Sequence, residues 1–336
     1  MKAIVLREFG GPEQLRFEVV PDPTPGRGEV VVRLKAAALN RRDYFITINQ
    51  YPGIRLPAIP GSDGAGIVAA VGEGVDNVAV GSEVVINPTL NWGDNPRVQG
   101  PDFHILGVPT DGTYAQLVKV PAENVYPKPE YLTWEEAAAL PLAALTAYRA
   151  LITRGRLQPG ETVFIPGIGG GVATFLLQIA VAAGARVFVS SRSDEKIERA
   201  LQLGASGGVN VNSEKWVKEL QERMEGQADL CVDSVGGDTF SQLIRIAKPG
   251  GRIVTFGATR GPVPNLVMPL IFLKQLDILG STMGNAEEFE QMLSFFKKHE
   301  IRPVIDRSYP LEQVSEAVKR MQAGDQFGKI LLEIPE

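Results

Sequence analysis

Residues 161–191 read ETVFIPGIGGGVATFLLQIAVAAGARVFVSS. A short apolar run reaches Pro166, a strand-end position where a missing N–H costs no ladder bond. Glycines then cluster at Gly167, Gly169, Gly170 and Gly171. Apolar residues continue through a helix-length segment, and a second β-branched run, RVFVS, follows about 20 residues after the first. Strand, glycine turn, helix and strand form a βαβ unit. In that setting glycines let the backbone approach a pyrophosphate at a helix N-terminus. The spacing departs from G-x-G-x-x-G, because Val172 stands at the third glycine position. Read as G-x-x-G-x-x-A it runs Gly167, Gly170, Ala173, and the small Ala173 permits close helix–strand packing. The loop from Gly167 to Val172 is therefore expected to hold a dinucleotide.

The end of the second strand points to which one. An acidic residue there would accept from a ribose 2′-OH. This chain has Ser190, Ser191 and Arg192, with Lys196 one turn further. Hydroxyls and cations suit a 2′-phosphate, so the expected cofactor is NADPH. The alternative is that Arg192 and Lys196 are solvated charges at a helix start.

Outward from this unit the alternation continues through DEKIERALQLG, GGVN, EKWVKELQERM, ADLCVDSV, TFSQLIRIAKPG, GRIVTFG and KQLDILGS. Strands alternating with helices predict an α/β fold with a doubly wound parallel sheet. Before it lies TWEEAAALPLAALTAYRALI, a helical stretch opened by Thr133 as N-cap with Glu136 completing a capping box. The first 120 or so residues have a different pattern. GEVVVRLKAAAL, GAGIVAAVG, SEVVINP and TYAQLVKVP are short strands bounded by turn residues, which predicts a β-rich domain partly closed into a barrel. After the sheet come two helices, AEEFEQMLSFFKKHE and LEQVSEAVKRMQAG, and a closing strand KILLEI that returns to the first domain. The expected division is 1–125 with 285–336, and 126–284.

With 34 Lys and Arg against 39 Asp and Glu, the net charge of -5 argues against general affinity for nucleic acid or anionic lipid. The longest apolar run is too short to span a bilayer, and the opening MKAIVLREFGG lacks a signal-peptide core. Cys231 is the single cysteine, so no intrachain disulfide can form, and a reducing, cytoplasmic setting is expected. The two histidines, His104 and His299, read as a packing or surface residue and as a cation at a helix C-terminus.

AAALNRRD, PGSDGAGIVAAVGEGV, DGTYAQLVKVPAENVYPKP, EEAAALPLAALTAYRAL, VDSVGG and KPGGRIVTFG together resemble the medium-chain dehydrogenase/reductase superfamily along the whole chain. The resemblance implies a GroES-like β-rich catalytic domain, a Rossmann domain, and a nicotinamide in the cleft between them. Zinc alcohol dehydrogenases of this superfamily place Cys, a His-Glu pair and another Cys around a catalytic zinc. Those positions fall here on Asn40, Ser62 with Asp63, and Leu142. Catalytic zinc needs about three protein ligands, so no metal is expected. The lobe that would carry a structural zinc, NPTLNWGDNPRVQGPDFHILG, has no cysteine. The chain is most similar to the zinc-free quinone oxidoreductase branch, whose acceptors are quinones or activated alkenes. A 2-alkenal or enone reductase on the same scaffold is not separated by sequence, and a protein that binds NADPH without turnover is the alternative of another class.

The same resemblance implies site residues. Tyr51 or Asn40 would hydrogen-bond the substrate oxygen, with a pocket-wall role for Tyr51 as the alternative. Relatives carry a tyrosine where Phe45 stands; Tyr44 beside it would point to the opposite face of an extended segment. Arg41 and Arg42 would face phosphate or solvent, and Asp43 would tie down its loop. Thr146, Thr255, Phe256, Gly257, Met283 and Gly284 would line the nicotinamide end, and Ser234 would sit near the adenosine-side ribose. Lys329 would reach the phosphates or be solvated. Phe45, Ile48, Leu142 and Phe272 would wall an apolar pocket for a planar quinone or enone. KQLDILGS would be the edge strand of a homodimer.

Overall fold

The computed structural model describes residues 1–336. They divide into two compact units, one of residues 1–143 with 284–336 and the other of 144–283. Strands β1 (Lys2–Leu6) and β2 (Leu15–Val19) pair antiparallel at the N-terminus. The alternating run noted above becomes β3 (Glu29–Ala38), which buries Val30, Val32 and Leu34 in a cluster with Val68, Val84, Ile86 and Val118. Helix α1 (Arg41–Thr47) follows, then β4 (Asp63–Val71), β5 (Glu83–Ile86), the short hairpin β6 (Thr89–Leu90) and β7 (His104–Ile105), then β8 (Leu117–Pro121) and β9 (Val125–Pro127). Two register shifts bend the β3–β4 pair, as bulges do.

Helix α2 (Trp134–Ala139) opens on the expected capping box. The Thr133 hydroxyl accepts from the Glu136 N–H at 3.2 Å, and the Glu136 carboxylate accepts from the Thr133 N–H at 2.9 Å. The helical stretch is not continuous. Pro141 starts a second helix, α3 (Pro141–Tyr148), whose chain runs on through a π-helical segment to Arg154. Because α2 packs on β3 and β4, the first unit extends to residue 143 rather than 125.

The second unit alternates β10 (Thr162–Ile165), α4 (Gly171–Ala182), β11 (Arg186–Ser191), α5 (Asp194–Gln202), β12 (Gly207–Asn210), α6 (Trp216–Met224), β13 (Ala228–Asp233), α7 (Gly237–Ile246), β14 (Ala247–Thr255), α8 (Met268–Lys274) and β15 (Asp277–Gly280). Its six strands are all parallel in the order β12-β11-β10-β13-β14-β15. This is the doubly wound dinucleotide-binding order, with the reversal between β10 and β13 that marks the ligand crevice. Strand β10 is buried along its whole length and β13 everywhere but Asp229, which is why VFI and LCV at their centres read as apolar runs.

The chain then returns to the first unit through α9 (Ala286–His299), β16 (Ile305–Pro310), α10 (Val314–Ala323) and β17 (Lys329–Glu333). Strand β17 lies parallel to β16 and antiparallel to the last residues of β3, Ala36 to Ala38. Strand β8 pairs with the first half of β3, so β3 carries one partner on its early part and another on its late part. This arrangement brings residue 329 beside residues 39 and 40.

Candidate functional site

The glycine loop of the second unit has the form of an anion cradle. Gly167 and Gly169 sit at φ 70° and 131°, a region open to glycine at little cost. Gly170 caps α4 without any side-chain hydrogen bond, and a Cβ placed on it would meet nothing within 4 Å. Thr174 donates to the Gly170 carbonyl, so the N–H groups of Gly171, Val172 and Ala173 precede the first intrahelical bond. Free donors at the positive end of a twelve-residue helix fit a pyrophosphate. The loop is tied to β11: the Ile168 N–H donates to the Ser190 carbonyl at 2.8 Å and the Gly167 N–H to the Ser190 hydroxyl at 3.4 Å. Ser190 thus fixes the loop.

Ser191 accepts from the Ser193 N–H at 3.1 Å, and Ser193 caps α5 by accepting from the Lys196 N–H at 3.3 Å. The Arg192 carbonyl accepts from the amides of Asn210 and Asn212, leaving its guanidinium exposed. The nearest carboxylate beyond β11, Asp194, is engaged by the Asn210 amide at 2.8 Å. The strand end therefore offers a cation and hydroxyls, with no carboxylate aimed at a ribose.

The other expected cofactor residues gather at the same ends of the strands. Asp233 closes β13, and its carboxylate accepts from the N–H groups of Val235 and Gly236 at 2.9 and 3.0 Å. Burial raises its pKa, opposed by those two hydrogen bonds. Sequence reasoning passed over Asp233, although an acid ending the strand of VDSVGG is a turn signal. It shapes the loop of Ser234, whose carbonyl accepts from the Thr259 hydroxyl at 2.7 Å. Register pairs Asp233 with Thr255, and the Phe256 N–H donates to the Asp233 carbonyl at 3.1 Å, bringing Ser234 and Thr255 to Gly257 together. The Thr146 hydroxyl lies 3.8 Å from the Met283 sulfur, both side chains buried. Met283 holds φ at 42° immediately before Gly284, a backbone region costly for a residue with a side chain.

In the first unit, two of the four positions expected to hold metal ligands in relatives, Asn40 and Asp63, meet a cation, and a third, Leu142, hydrogen-bonds the Asp63 carboxylate. Asp63, fully buried, starts β4. One of its oxygens accepts from the Asn40 amide at 2.8 Å and from the Lys329 ammonium at 2.8 Å; the other accepts from the Leu142 N–H at 2.8 Å. Lys329, 2% exposed, also donates to the Leu39 carbonyl at 2.7 Å and to the Asn40 side-chain oxygen at 2.9 Å. The fourth position, Ser62, turns away: its hydroxyl donates to the Leu106 carbonyl at 2.7 Å and accepts from Arg42 at 2.5 Å. A leucine, an amide, an engaged hydroxyl and a carboxylate already paired with an ammonium do not fit a catalytic zinc. No group of three or more His, Cys, Asp or Glu side chains is arranged to hold a metal anywhere in the chain.

Lys329 is thus neither solvated nor placed to reach phosphate, because all three ammonium protons are used inside this cluster. Asn40 is likewise committed, which removes it as a donor to substrate. Asp43 ties its loop as expected: one oxygen accepts from the Asn40 N–H at 2.7 Å and from the Tyr114 hydroxyl at 2.6 Å. Burial pushes both the Asp43 carboxyl and the Tyr114 phenol above their ordinary values.

The arginines face neither phosphate nor open solvent. Arg41 donates to the Met321 carbonyl at 2.6 Å, and Arg42 is buried with its guanidinium 4.5 Å from the Tyr51 ring centre. Because residues 41–47 are helical rather than extended, Tyr44 and Phe45 do not point to opposite faces; the Tyr44 hydroxyl accepts from Gln322 at 2.9 Å. Phe45 and Ile48 are half-buried and Leu142 is buried. Phe272 is 64% exposed on a helix that buries none of its residues, so it walls no pocket. Cys231 is in the core, and its thiol is pushed up by burial. His104 lies half-buried with Nδ1 3.1 Å from the Asp102 carbonyl, and His299 ends α9 against Phe295.

Residues 26–130 match the alcohol dehydrogenase GroES-like domain, and residues 171–298 match the zinc-binding dehydrogenase family. A zinc-type alcohol dehydrogenase-like protein of Leptosphaeria maculans is 37% identical, covering 95% of this chain and 94% of its own. An acryloyl-coenzyme A reductase of Sulfurisphaera tokodaii is 31% identical over 99% and 100% of the two chains. The crystal structure of an NAD-dependent alcohol dehydrogenase superposes with a TM-score of 0.95 at 40% identity, covering 100% of each chain. With both domains matched and the cofactor cradle in place, the chain belongs to the medium-chain dehydrogenase/reductase superfamily of oxidoreductases.

Proposed function

We propose that this oxidoreductase uses NADPH to reduce the polarised double bond of a conjugated carbonyl compound, an enone, 2-alkenal or quinone, without a metal ion. The observation that carries the reading is the donor set around Asp63. With an ammonium among the ligand positions, no Lewis acid is available to polarise a simple ketone or alcohol oxygen. An acceptor that is already electrophilic needs none. The relative named acryloyl-coenzyme A reductase supports an activated alkene as the substrate class.

Bound NADPH supplies the hydride. Gly167, Gly169, Gly170, Gly171 and Val172 would form the loop around the pyrophosphate, with the Gly171 and Val172 N–H groups at the start of α4 offered to it while Ser190 holds the Gly167 N–H. Ser191, Arg192 and Lys196 hold the 2′-phosphate, and Ser190 keeps the loop in place. Ser234 takes the adjoining ribose, while Thr146, Thr255, Phe256, Gly257, Met283 and Gly284 orient the nicotinamide. Phe45, Ile48 and Leu142 offer apolar surface to a planar substrate. Hydride addition to the β-carbon places negative charge on the carbonyl oxygen; the Tyr51 hydroxyl donates a hydrogen bond to it, and water returns a proton to the enolate. The protein acts as a homodimer in the cytoplasm in this reading.

A substrate panel followed by NADPH absorbance tests the proposal. Turnover is expected with enones, alkenals or quinones, and none with saturated ketones. Alcohol oxidation accompanied by stoichiometric zinc would overturn it. Tight NADPH binding with no oxidation by any acceptor would instead identify a cofactor-binding protein without turnover.

A further inference from the structure

Two separated stretches of chain deliver three oxygens to one buried ammonium. The Leu39 carbonyl and the Asn40 amide come from the junction of β3 and α1, and the Asp63 carboxylate comes from the start of β4. All three contacts lie between 2.7 and 2.9 Å, and Lys329 arrives from β17. Burying two opposite charges takes both out of water, and apolar side chains of similar volume would often serve stability as well or better. Here the charges are retained with all three ammonium protons engaged and donors at both carboxylate oxygens. The second Asp63 oxygen takes the Leu142 N–H at 2.8 Å, at the second residue of α3. The carboxylate therefore joins the ammonium to a helix start, while the Asn40 amide joins it to the start of α1.

We infer that the Lys329 side chain is a built-in monovalent cation, occupying in this chain the cation position that the ligand set cannot fill with a metal. Lys329 is a positioning residue. It ties Asp63 and Asn40 together and locks the starts of α1 and α3, and with them Phe45, Ile48 and Leu142. The inference is independent of which acceptor the enzyme reduces. It carries a specific consequence: with the tether removed, the oxygen cage remains a site for a small organic ammonium ion. Truncation to alanine removes four heavy atoms, Cγ, Cδ, Cε and Nζ, which together correspond to n-propylammonium.

The experiment is thermal unfolding of Lys329→Ala in n-propylammonium chloride, with 1-propanol and, at matched ionic strength, tetramethylammonium chloride as controls. Breaking the buried pair is expected to lower Tm by about 10 °C. n-Propylammonium is expected to restore at least half of that loss in a saturable way. The neutral analogue and the bulky cation are expected to restore none. A titration with NADPH, whose cradle belongs to the other unit, reports that the remaining chain is folded. Recovery no greater than with the controls would overturn the inference, as would stoichiometric zinc in the purified parent protein. If Lys329→Ala does not accumulate, Lys329→Met and Asp63→Asn, singly and combined, decide the matter. The combined variant is expected to melt above Lys329→Met alone, and strictly additive losses would overturn the charge-pair role.

Discussion

Arg192 projects an exposed guanidinium one residue beyond β11, while its own carbonyl is pinned by Asn210 and Asn212. The backbone is held and the cation is free to meet a ligand, which suits a fork for a phosphate. Hydrogen bonds to a charged group contribute roughly 1.5–3 kcal/mol, or about 10- to 100-fold in affinity. Arg192→Ala is expected to raise the Kd for NADPH by about that factor and leave NADH within about twofold, read by fluorescence titration of both nucleotides. Equal loss for both would assign the arginine to something other than the 2′-phosphate. Tyr51→Phe addresses the substrate side and is expected to lower kcat for an enone by about tenfold with the Kd for NADPH unchanged, since one neutral hydrogen bond is removed. The glycine loop and strand end were legible in the sequence and the polar contacts of the first unit were not, for a physical reason. Ser190 and Ser191 end β11 and Arg192 follows it, and their surroundings are set by local geometry. Lys329 depends on an acceptor 266 positions away, and no local pattern separates a caged lysine from a solvated one.

The β-rich and α/β patterns were legible because alternation and unbroken apolar runs report directly on one-sided and two-sided burial. Breaks in elements were less so. TWEEAAALPLAALTAYRALI has helix-forming composition throughout, yet Pro141 divides it, since proline lacks the N–H that a continuing helix needs. The run after Asn40 resembled an extended segment but closes a capping box with Asp43 and turns helical. Glycines provide two tests with opposite outcomes. Gly61, Gly107 and Gly112 pack backbone against backbone, and a Cβ on Gly112 would lie 2.0 Å from the Gly61 carbonyl oxygen. Gly112→Ala is expected to cost about 3 kcal/mol in urea unfolding. At the start of α4, Gly170 has φ -75° and open space where a Cβ would stand. Gly170→Ala is expected to leave the urea midpoint unchanged and to weaken NADPH binding about tenfold, because the added methyl occupies space a pyrophosphate would enter. A Gly170→Ala protein that binds NADPH normally would show that the phosphates take another path.

The six-stranded sheet ends at β15 on one side and β12 on the other, and the two edges differ. β12 buries three of its four residues, whereas β15 leaves most of its residues exposed, including Ile278 at 38%. Beside β15, helix α8 and the residues before it expose Leu266, Val267, Met268, Phe272 and Leu273, the last at 72%. An unpaired edge strand next to a run of exposed large apolar side chains invites association. A second copy of the chain satisfies such an edge by symmetry, because the same strand can pair with itself across a two-fold. Such a pairing would also cover Phe272, which is 64% exposed in the single chain. Light scattering is expected to give twice the 36.3 kDa chain mass. Leu273→Glu combined with Ile278→Lys is expected to shift the protein to one chain mass while the Kd for NADPH stays within about twofold, since the cradle of Gly167 to Val172 follows β10, an interior strand at the reversal of the order and away from the β15 edge. A parent protein that runs as a single chain would remove the two-fold and leave this face to a different occupant.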